Sequence, residues 1–182
     1  MGSLVVLTGA SGGGKTTIAR SYEKLGVPNC EVHFFDSIGV PSVEQMCREY
    51  GLGHEPGGAW QRAMTLQWIR RIRAILDRGT SVLFEGQMRI AFIKEGLVAS
   101  KISSARVVLV DCDDITRSER LNVTRGQPDL ANPDMMSWAR YLREEAHAAR
   151  IGVLDTARLS VAECVAFILG WLNEHPCKFL SS

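Results

Sequence analysis

The sequence predicts an α/β fold, a three-layer sandwich in which a parallel sheet is covered by helices on both faces. Three observations carry this. The apolar runs Leu4-Val5-Val6-Leu7, Ser81 to Phe84 and Val107 to Val110 are continuous rather than alternating, as in strands buried on both sides. Segments with helical periodicity separate them, and strands that alternate with helices pair in parallel. Finally, the first run passes through Gly9-Ala10-Ser11-Gly12-Gly13-Gly14-Lys15-Thr16 into a helical segment, so a complete GxxxxGK(S/T) pattern sits between strand and helix.

The elements follow in order. A first strand is expected at Ser3 to Leu7 and a helix at Lys15 to Leu25. Glu31 to Phe35 reads as the second strand, ending at Asp36. Ser42 and Gln45 form a capping box, so a helix should run to about Tyr50. Gly51 to Gly58 breaks the pattern, with His54, Glu55 and Pro56 at its centre. From Ala59 to Asp77, Met64, Leu66, Ile69, Ile72 and Leu76 recur at helical spacing until Gly79 stops them. Ser81 to Phe84 is the third strand, Ile90 to Ala99 a helix, and Arg106 to Val110 the fourth strand. Asp113 or Asp114 caps a helix through Leu121. Asn132-Pro133-Asp134 joins an N-cap, a proline in the first turn and an acid at the positive dipole end, which predicts a helix to about Arg150. Ile151 to Leu154 is a short fifth strand. A second capping box, Ser160 with Glu163, opens a last helix to about Asn173.

Composition narrows the function. The chain has 182 residues, 21 Lys+Arg against 20 Asp+Glu and a net charge of +1, so stable nucleic-acid binding is not expected, although a local basic pocket is allowed. Cys30, Cys47, Cys112, Cys164 and Cys177 form no CxxC pair, which argues against a zinc site or disulfide framework and for a reducing cytoplasm. Cys112 reads as a small buried hydrophobe. No basic segment precedes the first apolar run, so no signal peptide is expected. Val161 to Leu172 is too short, and interrupted by Glu163, to span a membrane. Without repeats or linkers the expectation is one domain over residues 1–182, as a monomer or homodimer.

Glycines in the loop let successive backbone N–H groups converge on phosphate oxygens, and the following helix adds its positive dipole end. Gly9, Ser11, Gly12, Gly13, Gly14, Lys15, Thr16 and Thr17 are thus candidate nucleotide ligands, with Lys15 charging the β/γ-phosphates and Thr16 a ligand for Mg²⁺. Ligands of such sheets lie beyond the carboxyl ends of the strands. There Asp36 is placed to accept a proton from an attacking hydroxyl, to orient it, or to hold a magnesium-bound water; as a turn-forming acid it would do none of these. Glu85 can hold water on Mg²⁺, and Arg89 offers a planar fork to an anionic acceptor, with Gln87 beside it. Arg117, Arg120 and Arg125 precede the Gly/Pro stretch Gly126 to Ala131 and read as a cover that closes over the triphosphate and neutralises the transferring phosphoryl. His54 and Trp60-Gln61-Arg62 are candidates for an acceptor pocket, though Trp60 and Trp68 fit a core equally well. His33, His147 and His175 have no ligand-like spacing.

On these residues the chain resembles the nucleoside-monophosphate-kinase-like group of phosphate-loop kinases, which includes adenylate, shikimate, gluconate and adenylylsulfate kinases and chloramphenicol phosphotransferase. Glu85-Gly86-Gln87-Met88-Arg89 looks like the DG(F/Y)PR segment of adenylate kinases, whose arginine grips the acceptor's phosphate; here Glu replaces Asp and the Phe-Pro pair is absent. Asp36 looks like the strand-end acid of the shikimate, gluconate and chloramphenicol kinases that meets the acceptor hydroxyl. The Arg117, Arg120 and Arg125 stretch resembles the family lid, about 116–134, and Leu154 to Ser160, with Asp155 and Thr156, the loop beside the adenine. The resemblance implies the phosphate-loop NTPase fold, a five-stranded sheet in the order 2-3-1-4-5, an acceptor-binding insertion at about 41–78, and the cofactors ATP and Mg²⁺. The activity it implies is γ-phosphoryl transfer to a small-molecule hydroxyl or phosphate, with Lys15, Asp36, Arg120 and Arg125 catalytic. A nucleotide-binding regulator or toxin-like kinase acting on a large partner is the alternative. A GTP switch is disfavoured by the missing NKxD and DxxG, and a motor ATPase by the missing Asp-Glu strand end.

Overall fold

β1 (Leu4–Thr8) is buried along its whole length, which is why its sequence is continuously apolar. It pairs in parallel with β3 (Ser81–Glu85) on one side and β4 (Ala105–Asp111) on the other. β2 (Cys30–Phe34) adds to β3 and β5 (Gly152–Asp155) to β4, both in parallel, giving the order 2-3-1-4-5. The computed structural model describes residues 1–51 and 58–173. The central break at His54, together with His175 and Cys177, lies outside them.

Successive side chains of a strand point to opposite faces, and the core divides accordingly. Leu4, Val6, Val82 and Phe84 pack against α3 (Gly58–Asp77) and α4 (Ile90–Ala99). Val5, Leu7, Leu83 and Val110 pack against α1 (Lys15–Glu23) and α7 (Val161–Asn173). A third cluster seats α6 (Pro133–Ala149) through Leu142 and Ala146 on Leu109 and Ile90. Trp60 and Trp68 are both 6% exposed and belong to the α3 core, Trp60 meeting the Phe35 ring edge-on at 5.7 Å, so neither is a surface platform.

The local signals hold. Ser42 caps α2 (Val43–Tyr50) by accepting from Gln45 N. Asn132 caps α6 by accepting from Met135 N, and Ser160 and Glu163 bond reciprocally ahead of α7. Asp113, not Asp114, caps α5 (Asp114–Glu119), its carboxylate taking Thr116 N at 2.8 Å. Two details differ from expectation. β2 ends at Phe34, and a 3₁₀ turn over Phe35–Ile38 carries Asp36 just beyond the strand. α5 stops at Glu119, and the chain changes to a π-helical turn over Arg120–Thr124, closed by Arg125 N donating to Arg120 O at 2.9 Å. Among the described residues no helix is long and apolar enough to cross a membrane.

Candidate active site

The loop between β1 and α1 needs its glycines. Gly14 has φ +98°, a conformation that L side chains rarely adopt, and a Cβ on Gly9 would collide with the Val110 carbonyl oxygen. Lys15 is 7% exposed, and its ammonium donates to Ala10 O at 3.1 Å. Burial pushes its pKa down to about 8, against the attraction of Glu85 and Asp36. Glu85, at the end of β3, is also buried; burial raises its pKa, opposed by Lys15 and by the Thr16 hydroxyl that donates to Oε1 at 3.0 Å. Asp36 and Arg125 act electrostatically on both Lys15 and Glu85, so the ends of β2 and β3, the loop and the segment after α5 share one site.

Three loop carbonyls are held from outside. Ser11 O accepts from Arg117 Nη1 at 2.6 Å, Gly12 O from Arg120 Nη1 at 3.4 Å and Gly13 O from the Thr156 hydroxyl at 2.8 Å. A trans peptide is planar, with its N–H opposite its C=O. Turning these carbonyls outward therefore turns the N–H groups of Gly12 and Gly14 inward as an anion-binding nest, while Gly13 N closes the loop on Ala10 O at 3.3 Å.

Arg117 corrects a sequence expectation. It is not on a cover over the nucleotide: it is fully buried beneath the loop, paired with Asp111 and also bonded to Cys112 O at 3.3 Å. The physical reason is the seating of α5, which packs so closely on the loop that a Cβ at Gly12 would press on Arg117 Cγ. Asp111 is shared with Arg143 of α6. Removing one partner of a buried pair strands the other. Arg117→Ala is therefore expected to destabilise the fold by about 3 kcal/mol, read as a lower urea midpoint.

Arg120 and Arg125 do line a cavity of about 640 Å³, together with Gly14, Thr16, Leu159 and Val161. Thr17 also lines it. Leu159 belongs to the Leu154–Ser160 stretch expected beside the adenine, whereas Val161 and Cys164 were missed as lining residues; the available signal was the Ser160 capping box, which starts α7 at this cavity. Asp155 is a second correction. Its carboxylate accepts from Ala157 N at 3.0 Å and pairs with Arg158 at 3.4 Å, so it shapes the turn and does not line the cavity. Thr156 instead reaches the loop.

On the other side of the loop, Ser11 Oγ donates to Gln87 Oε1 at 3.2 Å. Gln61 holds this segment at two points, its amide donating to Gln87 O at 3.0 Å and accepting from Arg89 N at 3.3 Å. The Arg89 guanidinium lies over the rings of Tyr141 (4.5 Å) and Trp138 (5.1 Å), which are themselves stacked. Arg62, by contrast, pairs with Glu95 on an exposed surface.

The sequence model of chloramphenicol phosphotransferase-like proteins matches residues 2–173. The chain belongs to the chloramphenicol phosphotransferase-like family. The fold of this family member is shared with a sugar kinase from Janibacter sp. HTCC2649, at 22% identity over 97% of both chains and a TM-score of 0.68. It is shared too with the tunicamycin resistance protein of Deinococcus radiodurans (18% identity, 94% of this chain and 96% of that one, TM-score 0.62). A gluconokinase from Sinorhizobium meliloti 1021 is similar at 19% identity, 93% and 91% coverage and a TM-score of 0.59. No curated protein sequence matches the chain.

The oxygens at the loop mouth of this chloramphenicol phosphotransferase-like protein suit magnesium. The Thr16 hydroxyl and the Glu85 carboxylate are hard donors 3.0 Å apart. Among the described residues no cluster of three His, Cys, Asp or Glu forms a metal cage. Thr16 and Glu85 would supply one or two protein oxygens to an ion otherwise held by water and nucleotide phosphates.

Proposed function

We propose that this protein transfers the γ-phosphoryl of ATP to a hydroxyl of a small molecule. The observation that carries the reading is Asp36: an exposed carboxylate just past β2, within the electrostatic reach of both Lys15 and Glu85. The inward N–H groups and Lys15 hold the triphosphate. Thr16 and Glu85 hold Mg²⁺, which when bound neutralises phosphate charge. Asp36 orients the acceptor hydroxyl and takes its proton, and Arg125, backed by Arg120 at the loop, stabilises charge on the transferring group. The aromatic rings of Tyr141 and Trp138 fix the plane of the Arg89 guanidinium beside residues 87–89.

Radiolabelled ATP with a panel of alcohols, sugars and hydroxylated antibiotics tests this. Label on at least one small acceptor is expected. Hydrolysis alone across the panel would overturn the reading and favour a role on a macromolecular partner.

Binding should also move a proton. With its pKa at about 8, Lys15 is mostly neutral at pH 8.5, and phosphate charge restores its ammonium. Mg·ATP binding at that pH is thus expected to take up a fraction of a proton, measured by titration calorimetry in buffers of different ionisation enthalpy. At pH 6.5, where Lys15 is already charged, its uptake vanishes.

A further inference from the structure

Thr156 has more to do than stand beside a base. Its hydroxyl lies 2.8 Å from Gly13 O and 3.1 Å from Asp111 O, and it accepts from Arg120 Nη1 at 2.7 Å. Its backbone N–H already donates to Asp111 O at 2.8 Å, so the hydroxyl hydrogen belongs to Gly13 O, the closer carbonyl. Its own carbonyl takes Arg120 Nη2 at 2.8 Å. One residue in the turn after β5 therefore meets the phosphate loop, the end of β4 and an arginine of the segment after α5.

From this geometry we infer that Thr156 is a positioning residue: it clasps Arg120 to the phosphate loop and, by holding the Gly13 carbonyl outward, aims the Gly14 N–H at the triphosphate. The inference rests on the functional reading above and adds a division of labour to it. Arg120 is held by both its terminal nitrogens before any nucleotide arrives, so it acts as part of the preformed wall. Arg125, which shares its field with Lys15 and Glu85, is left to meet the transferring phosphoryl.

Loss of the hydroxyl has two effects at once. It releases the Gly13 peptide to rotate, and it leaves Arg120 Nη1 without its shortest bond. Both weaken phosphate binding and neither touches the base. The Arg120–Thr156 Oγ1 bond is common to both residues, so losses at Thr156 and Arg120 should add only in part.

The test is calorimetric affinity for Mg·AMP-PNP and for adenosine with the whole chain, using Thr156→Val, Thr156→Ser, Arg120→Met and the Val/Met double variant, each checked for a cooperative thermal transition. Thr156→Val is expected to weaken Mg·AMP-PNP about tenfold while adenosine affinity stays unchanged. Thr156→Ser should restore the triphosphate to within about twofold of wild type. The double variant should lose less affinity than the product of the two single losses. If Thr156→Val fails to fold, Arg120→Met carries the same expectation of triphosphate-selective loss. Equal weakness of Ser and Val, additive losses, a loss shared by adenosine, or wild-type affinity in Val and Met would each overturn the clasp. Wild-type protein that takes up no triphosphate would overturn the functional reading itself, a result separable from those four.

Discussion

Lys15→Ala is expected to lower phosphoryl transfer by about a thousandfold, with the variant at least as thermally stable as the parent. The two halves of this expectation come from the same fact. The ammonium is buried, and the depressed pKa says that the folded protein holds the charge unwillingly. Deleting it removes a desolvation cost from the empty protein and removes the positive charge at the β/γ-phosphates from the working one. Turnover measured beside a thermal melt checks both. Undiminished turnover would end the phosphate-loop account; a collapsed melting temperature would show that the bond to Ala10 O is a structural tie.

Asp36→Asn is expected to cut transfer by about a thousandfold while changing Mg·ATP affinity by less than twofold. Asparagine keeps the size and fits the same 3₁₀ turn, so the fold should not notice. What it loses is the ability to accept a proton and the charge that steers the hydroxyl. Among the described residues no side chain is hydrogen-bonded to the Asp36 carboxylate, so its removal orphans no partner. Equal turnover in the Asn variant would make Asp36 a turn residue and move the search for a base elsewhere.

Sequence was a good guide wherever the information is local. The loop spacing, the three Ser or Asn caps and the start of α7 depend on residues within a few positions of each other, and hydrogen bonds now link the pairs that the pattern paired. It was a poor guide to which arginine does what. Arg117, Arg120 and Arg125 look alike in the chain, yet one lies under the loop, one is fastened to Thr156 and one shares the field of Lys15 and Glu85. That outcome depends on how α5 seats on the loop and on the change of winding at Arg120, neither of which a motif encodes. The grip of Gln61 on residues 87–89 and the Trp138–Tyr141 pair stayed hidden for the same reason, although Gln61 itself stood among the pocket candidates. They meet residues 87–89 from positions 26 or more residues away, and only the packing of α3, α4 and α6 brings them together.

The widened turn after α5 has an evolutionary corollary. A bond from residue i to i+5 stacks Arg125 above Arg120, much as ordinary winding stacks a residue four places on. The segment thus stores one spare residue of length, and Val123, 77% exposed, sits in it with little packing to lose. A single deletion there can be absorbed by reverting to α-winding with both guanidinium groups still on the same face. Homologues differing by one residue at this point are therefore expected to keep the arginine pair, and an alignment gap beside it marks a change of pitch rather than a lost function.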